Sequence, residues 1–114
     1  FVGRTDIRPD LLVLITNDAW FGKGQGPAQH FAQARARAIE LGLPMVRVAN
    51  RGVSTVIDGN GAYGASLQVE DAGFIDLAIP ASLPPTFFAK YPWCITFLMT
   101  LFLVSVAFVK RPRI

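Results

Sequence analysis

The chain has 114 residues, 52% of them hydrophobic and only 17% charged, with one cysteine, one histidine and a formal charge of +3. A globular domain carries about 25% charged residues. The composition therefore excludes a disordered tail, a nucleic-acid-binding arm and a disulfide-stapled secreted module. Lys110, Arg111 and Arg113 account for the whole net charge, because the rest of the chain sets 8 basic against 8 acidic residues, so no basic face for a nucleic-acid partner is expected.

The first residue is Phe1 rather than Met, and no basic stretch followed by an apolar one marks a signal peptide. The chain is accordingly expected to be a fragment, a processed product or the product of a truncated reading frame. Leu11 to Thr16 is a continuous apolar run of the kind found in a strand buried on both faces. Gly22, Gly24 and Gly26 punctuate the loop that follows, which lacks the Gly-Lys-Ser/Thr ending of a phosphate loop. Pro27 suits a first helical position with Gly26 as a possible cap, so a helix is predicted from about Pro27 to Leu41. Its alanines give high helix propensity and a thin face for packing on a sheet, with Ala28, Phe31, Ala32, Arg35, Ala38 and Ile39 along one side. Gly42 ends the helix and Pro44 prevents its resumption.

Met45 to Ala49 reads as a second strand, broken by Asn50-Arg51-Gly52, and Ser54 to Ile57 as a third. Asp58-Gly59-Asn60-Gly61 is a strong hairpin signal, after which Ala62 to Val69 returns. Gly73 to Ile79 is predicted to be a further strand. These elements do not close a core. Both faces of the first strand need cover and one Ala-rich helix covers one, which again points to the C-terminal part of a larger α/β domain.

Four regions follow: residues 1–82 as that part-domain, 83–90 as a linker broken by Pro84 and Pro85, 91–109 as a transmembrane helix, and 110–114 as a basic tail. Trp93 to Val109 is 17 uncharged residues. They span about 26 Å as a helix, against roughly 30 Å of hydrocarbon. Tyr91 and Trp93 stand at one boundary and the three basic residues at the other. The positive-inside tendency then puts the tail in the cytoplasm and the preceding domain across the membrane, in the periplasm of a bacterium. A buried core helix is the alternative, but it explains neither the all-round apolarity nor the flanks. Thr96, Thr100 and Ser105 are expected to bond carbonyls of their own helix or support helix contacts.

Thr16 to Gly22 is the densest cluster of chemistry-bearing residues, and it follows a buried strand at the end where open α/β sheets bind ligands. Asn17 and Asp18 can orient a polar group, and Trp20 and Phe21 can wall an apolar pocket. The competing reading is a turn with an Asx cap and two core aromatics. His30 has no second histidine or cysteine nearby, so a metal site is not expected; it is either a general base or a structural group bonding the preceding loop. Glu40 has Arg37 three residues before it, so a weak ion pair competes with a site role. Cys94 has no neighbour to lower its pKa and is not expected to be a nucleophile. Asn50 to Ser54 either approaches the Asn17 loop across adjacent strand ends or is simply a tight turn or bulge. No catalytic residue, metal or cofactor is assigned from these residues.

In order, the blocks Leu11-Leu-Val-Leu-Ile-Thr-Asn-Asp-Ala-Trp-Phe-Gly22, Gly26-Pro-Ala-Gln-His30, Ala34-Arg-Ala-Arg-Ala-Ile-Glu-Leu-Gly-Leu-Pro44 and Arg47-Val-Ala-Asn-Arg-Gly-Val-Ser54 resemble the apolipoprotein N-acyltransferases. These belong to the nitrilase, or carbon-nitrogen hydrolase, superfamily. The resemblance covers about residues 9 to 80. It implies the C-terminal part of a nitrilase-like α-β-β-α sandwich followed by one C-terminal transmembrane helix, in the bacterial inner membrane. It also implies transfer of an acyl chain from a phospholipid to the α-amino group of an apolipoprotein's N-terminal diacylglyceryl-cysteine. That reaction runs through a cysteine thioester, with glutamate as general base and lysine at the oxyanion. All three of those residues precede the Asn-Asp-Ala-Trp-Phe-Gly block in the family, so none has a counterpart here. Cys94, Lys23 and Glu40 do not match them. Asn17, Asp18, Trp20 and Phe21 carry over as the wall of the site, with His30 and Glu40 supporting it. The chain alone is expected to be inactive. Its partners would be the lipid bilayer, phospholipid and the apolipoprotein N-terminus. A membrane-tethered nitrilase-like amidase and a non-catalytic membrane-anchored interaction domain are the alternatives.

Overall fold

The computed structural model describes residues 7–109. The basic tail predicted at 110–114 lies outside the described residues. Four strands form one sheet in the order β1 (Leu12–Asn17), β2 (Met45–Asn50), β3 (Ser54–Ile57) and β4 (Tyr63–Leu67). β1 and β2 are parallel, in register from Leu12 with Met45 to Asn17 with Asn50, while β2–β3 and β3–β4 are antiparallel. A parallel neighbour needs a crossover, and α1 (Gly26–Leu41) supplies it. The helix starts one residue before the predicted Pro27, with Gln25 as its N-cap, and stops at Gly42, whose φ of 65° is the left-handed value that glycine tolerates.

Strand side chains alternate between faces. Leu12, Leu14, Met45, Arg47, Thr55 and Ile57 turn toward α1, and the core forms there from Leu12, Met45, Ile57, Leu43, Phe31, Ala34 and Ala38. The buried stripe of α1 is thus Phe31, Ala34 and Ala38, while Ala28, Ala32, Arg35 and Ile39 stay exposed. This corrects the predicted face by a rotation. A helix with alanine on every side has little hydrophobic contrast, so its pattern does not fix which alanine is central. The single helix covers one face of β1, as expected, and leaves the other open within this chain: on the far face Val13 is 63% and Ile15 78% exposed, beside Val48 at 50%.

The hairpin turn forms where Asp58-Gly59-Asn60-Gly61 predicted it. Asp58 Oδ1 accepts from the backbone N–H of Asn60 and of Ala62, each at 2.8 Å, and Gly61 takes φ 81°. Residues 73–79 correct another expectation, since they form no strand. Their alternation is real, but among the described residues no strand edge pairs with them; Leu77, Ala78 and Pro80 instead line a shallow depression with Val56 and Tyr63.

Residues 83–90 hold to the end of α1. Leu83 N–H donates to Gly42 O at 2.8 Å, Thr86 Oγ1 donates to Glu40 O, and Thr86 caps the short α2 (Phe87–Lys90). α3 (Cys94–Val109) follows. It is 16 residues long, and Ile95 through Phe108 are exposed all round it. Among the described residues no helix is long and apolar enough to cross a membrane. Thr100 and Ser105 donate to the carbonyls of Thr96 and Leu101, both at 2.8 Å, so these two hydroxyls are satisfied within the helix as expected.

Candidate functional site

β1 and β2 end side by side, and the loops leaving them meet. Asn17 closes β1 and caps the 3₁₀ turn Asp18–Phe21: its Oδ1 accepts from Ala19 N–H at 3.1 Å and from Asn50 Nδ2 at 3.2 Å. The Asx-cap reading of Asn17 and the approach of the Asn50 loop are therefore both present in the structure.

Beneath this turn lies a polar cluster. Asp18 is wholly buried. Its Oδ2 accepts from Arg47 Nη2 at 2.6 Å, and its Oδ1 meets His30 Nδ1 at 2.8 Å and Thr16 Oγ1 at 3.3 Å. Burial pushes the carboxyl's pKa up. The hydrogen bonds from Arg47 and His30, and their charge, outweigh that and hold it below its ordinary value of 3.8. An ionised Asp18 accepts only, so His30 Nδ1 is the donor to it. The 3.5 Å approach of Arg47 Nη2 to the same nitrogen is then donor against donor and contributes no bond. Arg47 is also buried; it donates to Val53 O and lies over the Phe31 ring, 5.4 Å from its centroid. Its Nε has no partner among the described residues. Gly52 fits against the cluster because it has no side chain: a Cβ there would run into the Asp18 carboxylate and stand 2.8 Å from Ala49 Cβ.

What the cluster props up faces outward. Trp20 is 86% exposed and Phe21 49%, with the Phe21 ring 5.3 Å from the His30 ring. The alternative of two core aromatics is thus not what forms. Of the sequence-derived candidates, the fold brings Asn17, Asp18, Trp20, Phe21 and His30 together. Asp18 does so from underneath, with both oxygens engaged, rather than on the open side where a substrate would meet it. Glu40 stands apart, in the last turn of α1, paired to Arg37 Nη1 at 2.7 Å; ten residues of helix, about 15 Å, separate it from His30. Arg47 was not a candidate on the sequence. An arginine at an inward position of an otherwise apolar strand was the signal available for it. Among the described residues no group of three or more His, Cys, Asp or Glu side chains is placed to hold a metal ion.

Residues 8–83 match the family model of the carbon-nitrogen hydrolases. Over 88 residues the chain is 53% identical to an apolipoprotein N-acyltransferase of Bradyrhizobium diazoefficiens, covering 77% of this chain and 16% of that protein. It is 45% identical over 105 residues to one from Rickettsia bellii, covering 91% of this chain and 21% of that one. With one from Shewanella oneidensis it shares 41% over 104 residues, covering 91% of this chain and 20% of that one. The chain therefore spans about a fifth of the length of these relatives. The family model and the sequence identity, each over most of the chain, agree, and the chain belongs to the carbon-nitrogen hydrolase family, with its similarity lying toward the apolipoprotein N-acyltransferases.

Proposed function

We propose that this chain is the C-terminal part of an enzyme that moves an acyl chain from a phospholipid to the α-amino group of an apolipoprotein's N-terminal diacylglyceryl-cysteine. The observation that carries the reading is the propped loop. Asp18, Arg47 and His30 fix the turn from below, and Trp20 and Phe21 are left open at the ends of two parallel strands. An acyl chain needs an apolar wall that is in place before it arrives, and a loop pinned by a buried ion pair provides one. Asn17, Trp20 and Phe21 bound the substrate, Asp18 and His30 hold them, and no role at the reacting atoms is assigned to Glu40.

The acyl-cysteine step needs a nucleophilic thiolate, a base and an oxyanion donor. Cys94 opens α3 and no described residue pairs with it as a base, so the chemistry belongs to residues outside this chain, and the chain by itself transfers nothing. Residues 1–82 belong to the sandwich domain and 83–90 join it to the membrane segment. Residues 91–109 supply that segment: α3 is continued toward Tyr91 by hydrogen bonds from Cys94 N to Tyr91 O and from Phe97 N to Trp93 O. With Lys110, Arg111 and Arg113 beyond it, the segment ends in the cytoplasm and the domain lies in the periplasm.

The first experiment is to read the coding sequence upstream of Phe1 and to assay the complete protein, and separately this chain, for acyl transfer from phospholipid to a diacylglyceryl-cysteinyl peptide. Upstream membrane spans with Glu, Lys and Cys, and transfer by the complete protein alone, support the reading. A triad without spans indicates a tethered amidase, and spans without a triad indicate a binding protein. Transfer by this chain alone overturns its proposed inactivity.

A further inference from the structure

Arg51 is the sole non-glycine residue with positive φ among the described residues, at 54°. Such a backbone is unfavourable in a non-glycine residue and persists where its surroundings impose it. Both neighbours do so here. Asn50 is tied to Asn17 at 3.2 Å, and Gly52 is wedged against Asp18. The base of the Arg51 side chain is therefore fixed at the strand ends beside the propped loop. The side chain is exposed, and among the described residues its guanidinium has no ion pair or hydrogen bond.

The charge beside it on β1 and β2 is one-sided. Asp18 is the single acidic residue between Leu11 and Ile39, none occurs between Leu43 and Ile57, and Asp18 is buried and already neutralised by Arg47. Exposed Lys23, in the loop after Phe21, adds a second cation. The β2–β3 turn and the loop after β1 thus present positive charge beside two exposed aromatic rings, while the exposed Glu70 and Asp71 at this end of the sheet follow β4, whose Leu67 pairs with Ser54. The rim nearest the aromatic rings is therefore cationic. An amphiphile with an anionic head and apolar chains is matched by it, and a guanidinium is the side chain whose fork fits phosphate oxygens.

We propose that Arg51 anchors the phosphate of an amphiphilic ligand whose apolar chains lie toward Trp20 and Phe21. This rests on the acyl-transfer reading and names where the donor's head group is held. The test uses the complete protein in detergent, unaltered and as Arg51→Gly and Arg51→Lys. Glycine relaxes the positive φ while removing the charge, so misfolding is not the expected consequence; lysine keeps the charge. Equilibrium binding is measured for dihexanoyl phosphatidylglycerol, for neutral dihexanoylglycerol and for inorganic phosphate. The expected result is preference of the unaltered protein for the phospholipid. Arg51→Gly should weaken that ligand roughly ten- to a hundredfold, the scale of a lost charge-assisted hydrogen bond. It should leave the neutral lipid unchanged, and Arg51→Lys should retain most of the affinity. Equal phospholipid affinity in the unaltered and Arg51→Gly proteins overturns the proposal, as does equal loss of both lipids or absence of a phospholipid preference. Inorganic phosphate binding as tightly as the phospholipid overturns the amphiphile in favour of a free anion. Acyl transfer is assayed on the same preparations. Arg51-dependent phospholipid binding without any transfer by the unaltered protein sinks the functional reading and sustains the anchor. Transfer with Arg51-independent binding does the reverse.

Discussion

Asp18 and Arg47 stand 29 residues apart in sequence and meet at 2.6 Å with neither side chain exposed. Both charges are out of water, and each depends on the other. Breaking a buried pair by removing one partner costs about 3–5 kcal/mol, whereas replacing both by well-packed apolar groups is often neutral. Arg47→Ala is therefore expected to lower stability by that amount. The double substitution Asp18→Leu with Arg47→Met should recover much of it while disordering the Asn17–Phe21 turn. Denaturant unfolding of the two variants checks the first statement, and lost protection of the Ala19 and Trp20 amides in hydrogen exchange checks the second.

The same carboxylate sets an acid limit. Burial alone would raise its pKa, but the hydrogen bonds and charge of Arg47 and His30 bring it below 3.8 in the folded state. The unfolded chain then binds a proton that the folded one refuses, so the contribution is complete above the unfolded pKa and is lost as pH falls through the lower, folded one. Stability is expected to be insensitive to this group above about pH 5 and to decline below it. Asp18→Asn should flatten that decline. An unchanged acid slope in the variant would show that other carboxylates set the limit.

Gly52 has no room for a methyl group. Its added Cβ would meet the Asp18 carboxylate, which three partners hold in place, and Ala49 Cβ at 2.8 Å. Gly52→Ala is expected to cost about 1–3 kcal/mol through overpacking. Gly64, with nothing within 4 Å of such a Cβ, is the control, and Gly64→Ala should leave the unfolding midpoint unchanged or raised.

The elements were largely legible because they are local. Gly42 and Pro44 stop α1, Asp58-Gly59-Asn60-Gly61 turns the hairpin, and β1 is an uninterrupted apolar run. The site was legible only on its outer side. Trp20 and Asn17 stand out by residue type and by their place after a strand. Arg47 did not, because its role depends on Asp18 lying across the parallel register that sets Leu14 beside it. The rotation of α1 was hidden by its alanines. Residues 73–79 alternate like a strand, but alternation does not supply an edge to pair with.

Trp20 separates activity from stability. With 86% of its surface exposed, it contributes little to the core, so Trp20→Ala should leave the unfolding midpoint nearly unchanged. If the ring walls the acyl site, kcat/KM for acyl transfer by the complete protein should fall by roughly tenfold or more, the scale of a lost aromatic contact at a binding site. Phe21→Ala is expected to affect both properties, since its ring also packs on His30. Unaltered kcat/KM in Trp20→Ala would remove this ring from the site.

Ile15 tests whether the open sheet face is a buried surface in the complete protein. Val13, Ile15 and Val48 present three neighbouring β-branched side chains that α1 does not reach, since it lies on the opposite face. A sandwich domain covers such a face with a second sheet, and the relatives are about five times as long as this chain. Burying each such side chain stabilises by about 1.5–3 kcal/mol. Ile15→Lys should then be well tolerated by this chain alone and raise its solubility, because an exposed apolar side chain becomes a charged one. In the complete protein the same change should lower the unfolding temperature sharply, because a lysine would be sealed between layers. Equal tolerance in both settings would mean that the face stays open to solvent, and the sandwich architecture would have to be given up for this side of the sheet.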